Sequence, residues 1–221
     1  TWQSSGVASD FGFADGPLSG NETITRSTTT AEASAREAEA GTSTFTNVEF
    51  SFDVQRSVNA VHVEMGSYVR YVDSNNYLRL FLTWNPGVIS FGISKKTLGT
   101  VVLLKSVKQS SYPPLSGLTA GTWYRCRVVA FASGNGVATL SIADTGATIA
   151  ALPFFTSELA TGGTLASGKN RIFDQISATG AAGTRYYDNI YAATPTAEPT
   201  VCYPSQSIEF RHDSTLREMA E

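Results

Sequence analysis

The chain has 221 residues, of which 42% are hydrophobic and 11% aromatic; that is enough to bury one sizeable core, at a length all-β sandwiches use as a single domain. Charged residues make up only 16%, the formal net charge is −3 and the basic residues are scattered, so nothing in the charge pattern fits a nucleic-acid or anionic-lipid binder. No apolar run approaches the roughly 20 residues that span a bilayer, so no membrane insertion is expected.

Along the chain, Ala31 to Ala40 is the one stretch of high helix propensity, with Glu32 and Arg36 spaced i, i+4. It is short and lacks an apolar stripe, so a strand or loop at a sheet edge competes with a helical turn. Val48 to Gln55 follows as a half-buried strand, with Val48, Phe50, Phe52 and Val54 on one side and Glu49, Ser51, Asp53 and Gln55 on the other. Val61, Val63 and Met65 alternate with His62 and Glu64, and Ser67 to Val72 continues, with two strands expected to meet near Gly66.

Asp73-Ser-Asn-Asn76 is a turn that leads into Tyr77 to Trp84, where Leu78, Leu80 and Leu82 form the inward stripe of a hairpin. Asn85-Pro-Gly87 closes that strand, Val88 to Ser94 returns, Lys95-Lys96 and Gly99 turn the chain again, and Thr100 to Val107 is β-branched and apolar. Beyond Pro113-Pro114, Gly121 to Phe131 and Gly136 to Ala143 flank Ser133 to Gly136, whose Asn-Gly pair favours positive φ, as a further hairpin. A Gly-rich, irregular stretch is expected from Ala147 to Lys169, and a last strand from Gly183 to Ala193.

Pro195, Pro199 and Pro204 within Thr, Ala and Ser mark a linker, so the division expected is a sandwich over 1–194 and a linker with the start of a further segment over 195–221. Cys126 shares a face with Tyr124 and Val128 and reads as a buried thiol. Neither it nor Cys202 has zinc-site spacing.

The segments Tyr71 to Leu80, Gly121 to Val128 and Tyr187-Asp-Asn-Ile-Tyr191, in that order, resemble the recurring strands of concanavalin A-like (laminin G-like) jelly-roll domains. With Ala8-Ser-Asp-Phe11 and Thr23-Ile-Thr-Arg26 ahead of them and Ser207 to Asp213 behind, the chain is similar to the sandwich carried by minor tail proteins of phages infecting actinobacteria. The resemblance implies an all-β fold, an antiparallel two-sheet β-sandwich. It also implies a place on the virion tail, with other tail proteins and copies of itself as partners, and either contact with a host-surface polysaccharide or a role in spacing other parts.

Fold alone selects no function, because the same sandwich carries lectins, glycanases and spacers. Glycanases of this shape need two acids about 5 to 5.5 Å apart, whereas Glu49 and Asp53 lie four residues apart on one strand face, roughly 13 Å by strand rise. They read as a solvated face. His62, alternating with Val61 and Val63, is expected to face solvent, and His212 lies in the trailing segment, so no imidazole base is placed. Gly162-Gly163 and Gly180 to Gly183 lack the helix and Lys of a phosphate loop. No catalytic residue is assigned.

Sugar binding needs aromatic rings together with amide and carboxylate groups, and the candidates are Trp84 with Asn85, and Asp73 with Asn75 and Asn76. Their competing role is structural, as a core cap and as turn formers. No cofactor is expected, and Asp73, Asp174 and Asp188 are the loop or strand-edge acids that a Ca²⁺ ion would draw on. The reading is therefore a non-enzymatic phage tail module that binds a host glycan or only builds structure. Its rivals are a carbohydrate-binding module of a secreted bacterial enzyme and a divergent glycanase.

Overall fold

Period-two alternation of apolar side chains can be satisfied only if each strand lays one face on a shared interior. The computed structural model, which describes residues 3–4, 12–15, 22–27, 35–58, 63–85, 87–176 and 183–197, shows two sheets that do so. In chain order the strands are β1 (Gln3–Ser4), β2 (Gly12–Asp15), β3 (Glu22–Ser27), β4 (Arg36–Glu39), β5 (Val48–Arg56), β6 (Val63–Asp73), β7 (Asn76–Asn85), β8 (Val88–Thr97), β9 (Thr100–Lys108), β10 (Tyr124–Ala130), β11 (Asn135–Ile142), β12 (Thr148–Phe155), β13 (Lys169–Ile176) and β14 (Thr184–Ala193). The first sheet has the order β1-β4-β13-β6-β7-β8-β9 and the second β12-β11-β10-β5-β14-β3-β2. Every ladder is antiparallel, and the fold is a jelly-roll β-sandwich.

The core is made by the expected stripes. Val48, Phe50, Phe52 and Val54 of β5 and Leu78, Leu80 and Leu82 of β7 are all fully buried, facing each other from the two sheets. Cys126 sits among them as a buried free thiol, and burial pushes its pKa up, which keeps it inert.

Several elements depart from the sequence reading. Rather than two strands meeting at Gly66, β6 runs unbroken through it. β8 continues past Lys95-Lys96 to Thr97, and the turn is Leu98-Gly99. In the β10–β11 turn the positive φ belongs to Gly134, at 94°, while Asn135 and Gly136 already pair in β11. The stretch after Ala147 is not irregular throughout, since Thr148–Phe155 is β12, an edge strand that tolerates Pro153 because a proline there breaks no ladder bond to a second neighbour. Of the alternatives open for the helix-favouring segment, the strand is the one realised over Arg36–Glu39 as β4, because pairing with β13 satisfies its backbone and outweighs propensity. Val61, His62, Cys202, His212, Trp2, Ala8 to Phe11 and Ser207 to Asp213 lie outside the described residues.

Two polar clusters tie the sheets together. Asp174 on β13 is fully buried and receives Arg26 Nη1 at 2.7 Å, Arg185 Nη2 at 2.6 Å and the Tyr187 hydroxyl at 2.7 Å, all from the opposite sheet. At a bulge in β6, Arg70 takes a φ of 49° and turns inward beside Val69. Its guanidinium donates to the carbonyls of Leu159 at 2.8 Å, Leu165 at 3.1 Å and Ala130 at 3.2 Å, and to that of Thr46.

Candidate functional site

The face of the first sheet that points away from the core carries the least ordinary chemistry. Register aligns its outward residues in rows across six strands: Glu39, Arg171, Tyr68, Arg79, Ser94 and Leu103 form one, directly opposed from β4 to β9. The next row reads Glu37, Phe173, Gly66, Phe81, Gly92 and Ser106. Glycine and phenylalanine alternate there for a steric reason. A Cβ on Gly66 would stand 2.7 Å from the Phe173 ring, and one on Gly92 would stand 2.5 Å from the Phe81 ring, so each ring lies across a glycine.

Above this floor the tyrosines gather. Tyr68 stacks on Phe173 at 4.7 Å between ring centroids and tilts against Tyr77 at 4.5 Å, while Tyr71 and Tyr77 lie parallel, 6.0 Å apart. Tyr68 is buried and Tyr71, Tyr77 and Phe81 are partly exposed. Arginines cover the rings: Arg171 stands 3.7 Å above Tyr71, and Arg79 5.1 Å from Phe173 and 5.7 Å from Phe81. Burial raises the pKa of all three phenols, which keeps the hydroxyls protonated as donors.

Each carboxylate on this face is held by a cation. Arg79 pairs with Glu64, which also accepts from the Thr83 hydroxyl at 3.3 Å. Arg171 reaches Glu37 at 2.9 Å and Glu39 at 3.1 Å, and Lys169 reaches Glu39 at 2.8 Å. Burial alone would raise the Glu39 pKa, but hydrogen bonds from Lys169 and Arg171 lower it below its ordinary value. The result is a preorganised surface of ring faces, phenol donors and fixed ion pairs, with each carboxylate committed to a cation.

The residues singled out from sequence sit elsewhere. Trp84 is not a surface platform: it is fully buried on the inner face of β7, with the Arg56 guanidinium 3.7 Å above its ring and Tyr124 edge-on at 5.4 Å. Asn85, at the end of β7, is only partly exposed. Asp73, Asn75 and Asn76 form the β6–β7 turn, where Asp73 accepts from the Asn75 amide at 2.7 Å and the Asn76 side chain at 2.9 Å, and these bonds lower its pKa. Asn76 also accepts from the Leu98 amide at 2.9 Å. By strand rise Asn76 and Trp84 are about 27 Å apart, so the two halves do not meet.

The three acids named for calcium are separated as well. Asp174, expected at a loop or strand edge, is instead committed to two arginines inside the sandwich. Asp73 serves the turn, and Asp188 caps the Asn189 amide at 2.7 Å on β14. Among the described residues, no three His, Cys, Asp or Glu side chains gather as metal ligands. Nor is the outer face of β5 solvated: Arg125 grips Asp53 with two bonds of 2.8 Å, and Arg127 holds Glu49 at 2.8 Å.

The tyrosine–arginine face was missed although one signal for it was present. The stripe of Leu78, Leu80 and Leu82 leaves Tyr77, Arg79 and Phe81 pointing outward, where a plain solvated face would carry small polar residues.

No protein-family model matches this sequence, and no curated protein matches it in sequence. Solved structures match it in fold. A protein of unknown function with a galectin-like fold from Bacillus subtilis is 13% identical, covers 87% of this chain and 89% of its own, and gives a TM-score of 0.56. The carbohydrate-binding module CBM66 from Bacillus subtilis is 9% identical, with 86% and 94% covered and a TM-score of 0.54. The CBM2 module of the Lactobacillus casei BL23 phage J-1 evolved Dit is 13% identical, with 81% and 79% covered and a TM-score of 0.53.

Proposed function

We propose that this chain is a non-catalytic glycan-binding module that uses the outer face of its first sheet. The observation that carries the reading is the cluster of Tyr71, Tyr77 and Phe81 interleaved with the Arg79–Glu64 and Arg171–Glu37 pairs. Sugars present C–H faces to rings and hydroxyls to paired donors and acceptors, and this surface offers both in fixed geometry. The module belongs on the tail of a phage infecting actinobacteria, where it touches host polysaccharide beside other tail proteins and copies of itself. That context is supported by the sequence resemblance and by the fold shared with a phage Dit module. The rival context, a module of a secreted glycan-active enzyme, draws on the same fold in CBM66.

The test is a glycan array followed by calorimetry with actinobacterial wall polysaccharide, comparing the chain with Tyr77→Ala and Tyr71→Ala. Each truncation removes a ring face worth about 1 kcal/mol or more, so affinity should fall on the order of five- to tenfold with the fold intact. Undiminished binding by both variants, or none by the unaltered chain, would rule the face out. Antibody labelling of virions by electron microscopy separates tail from enzyme.

A further inference from the structure

The same sheet ends in a strand that is left open. β9 is the outermost strand of the first sheet, nine residues long, and one of its two long sides has no neighbouring strand among the described residues. Natural edges of this length are guarded by proline, bulges or charge. β12, the corresponding edge of the second sheet, carries Pro153. In β9 the bulge and the lysines guard only the later half, where the register shifts opposite Ile93 and Ser94. The earlier half shows Val101 and Leu103 each 57% exposed, with Val102 beside them.

The turn that leads into β9 adds an independent oddity. Leu98 and Gly99 form a two-residue hairpin turn with φ of 49° and 81°, a conformation that asparagine and glycine adopt without crowding. Leucine there sets its Cβ against the backbone and is 84% exposed, so it gains little packing from the rest of the chain.

Charge indicates what belongs on this edge. From Val88 to Lys108 the sequence contains Lys95, Lys96, Lys105 and Lys108 and no Asp or Glu, in a chain of net charge −3. Lys95 is engaged by Glu158 and Thr156, and Lys96 by the Ser74 carbonyl. Lys105 and Lys108 are exposed and have no acidic partner among the described residues. A second copy paired edge to edge would bring like charges together.

We propose that β9 is a docking edge that takes an extended acidic segment of another protein as an added strand. Its backbone completes the ladder, its apolar side chains cover Val101 and Leu103 on the outer face, and its carboxylates meet Lys105, which the register opposite Ile93 puts on the other face, while Lys108 adds positive charge at the end of the strand. The interaction is separate from sugar binding, although both use the first sheet.

The test measures fluorescence anisotropy of a labelled short peptide alternating valine and glutamate, titrated with the full chain, against a counterpart with lysine for glutamate. Saturable binding of the acidic peptide is expected, on the order of tenfold tighter than the basic one, with the preference reversed by Lys105→Glu combined with Lys108→Glu. Leu103→Ser should weaken the acidic peptide, and Tyr77→Ala should leave it unchanged, so failure of the sugar reading does not sink this one. Equal binding of both peptides, no binding, or a preference untouched by charge reversal overturns the proposal. So does a dimer in sedimentation that Leu103→Lys dissolves, because that outcome puts a second copy on the edge.

Discussion

Replacing Asp174 with asparagine should be among the most damaging conservative changes in this protein. The carboxylate is fully buried and takes 2.6 to 3.2 Å bonds from Arg185 and a 2.7 Å bond from Arg26, which is 3% exposed; Arg185 is fully buried. Asparagine keeps the volume and one acceptor but removes the charge, leaving two desolvated guanidinium groups to face each other. Breaking a buried pair in this way costs about 3 to 5 kcal/mol, a large share of the roughly 5 to 15 kcal/mol that a domain has. With a urea slope of about 3 kcal/mol per molar, the unfolding midpoint should fall by between about 1 and 2 M at unchanged slope. Adding Arg185→Met to Asp174→Asn should recover part of the loss, since it removes one of the stranded charges. A single-variant loss below about 1 kcal/mol would refute the idea that this cluster pins sheet to sheet.

Three further outcomes follow from the packing. Arg70→Met leaves the carbonyls of Leu159, Leu165 and Ala130 without their donor, at about 1 to 3 kcal/mol for each one that water does not reach, so thermal unfolding should drop by several degrees or more. Gly92→Ala places a methyl 2.5 Å from Phe81 and 2.8 Å from Ser106, which should cost about 1 to 3 kcal/mol and weaken sugar binding by displacing that ring, as calorimetry would read. The Glu39 carboxyl is depressed from its ordinary 4.5 in the folded chain, so its contribution is complete above that pH and is lost as pH falls through the lower folded value. Stability of the β4–β13 pairing, followed by amide exchange, should therefore hold from neutral pH down to the ordinary carboxylate range and fall below it.

The alternation at Val48 to Val54 and at Leu78, Leu80 and Leu82 made the sandwich legible before any coordinates, because a strand's own residues determine which face is apolar. Trp84 continues the leucine stripe in phase, and the same period that buries Leu82 buries Trp84, so of its two readings the core cap is the one its own strand supports. β12 escaped because Pro153 reads as a breaker until the strand is known to be at an edge, and edge status is a property of the whole sheet.

The candidate face was only half legible. Tyr77, Arg79 and Phe81 are visible as outward residues of one strand, but Tyr68, Arg171, Phe173 and Glu37 reach them from β6, β13 and β4, separated by up to 136 positions from Glu37 to Phe173. Local periodicity settles in or out for each side chain, since that depends on near neighbours along the chain. Which outward side chains stand together depends on strand order and register, and those are set by how the buried faces of all the strands fit one another.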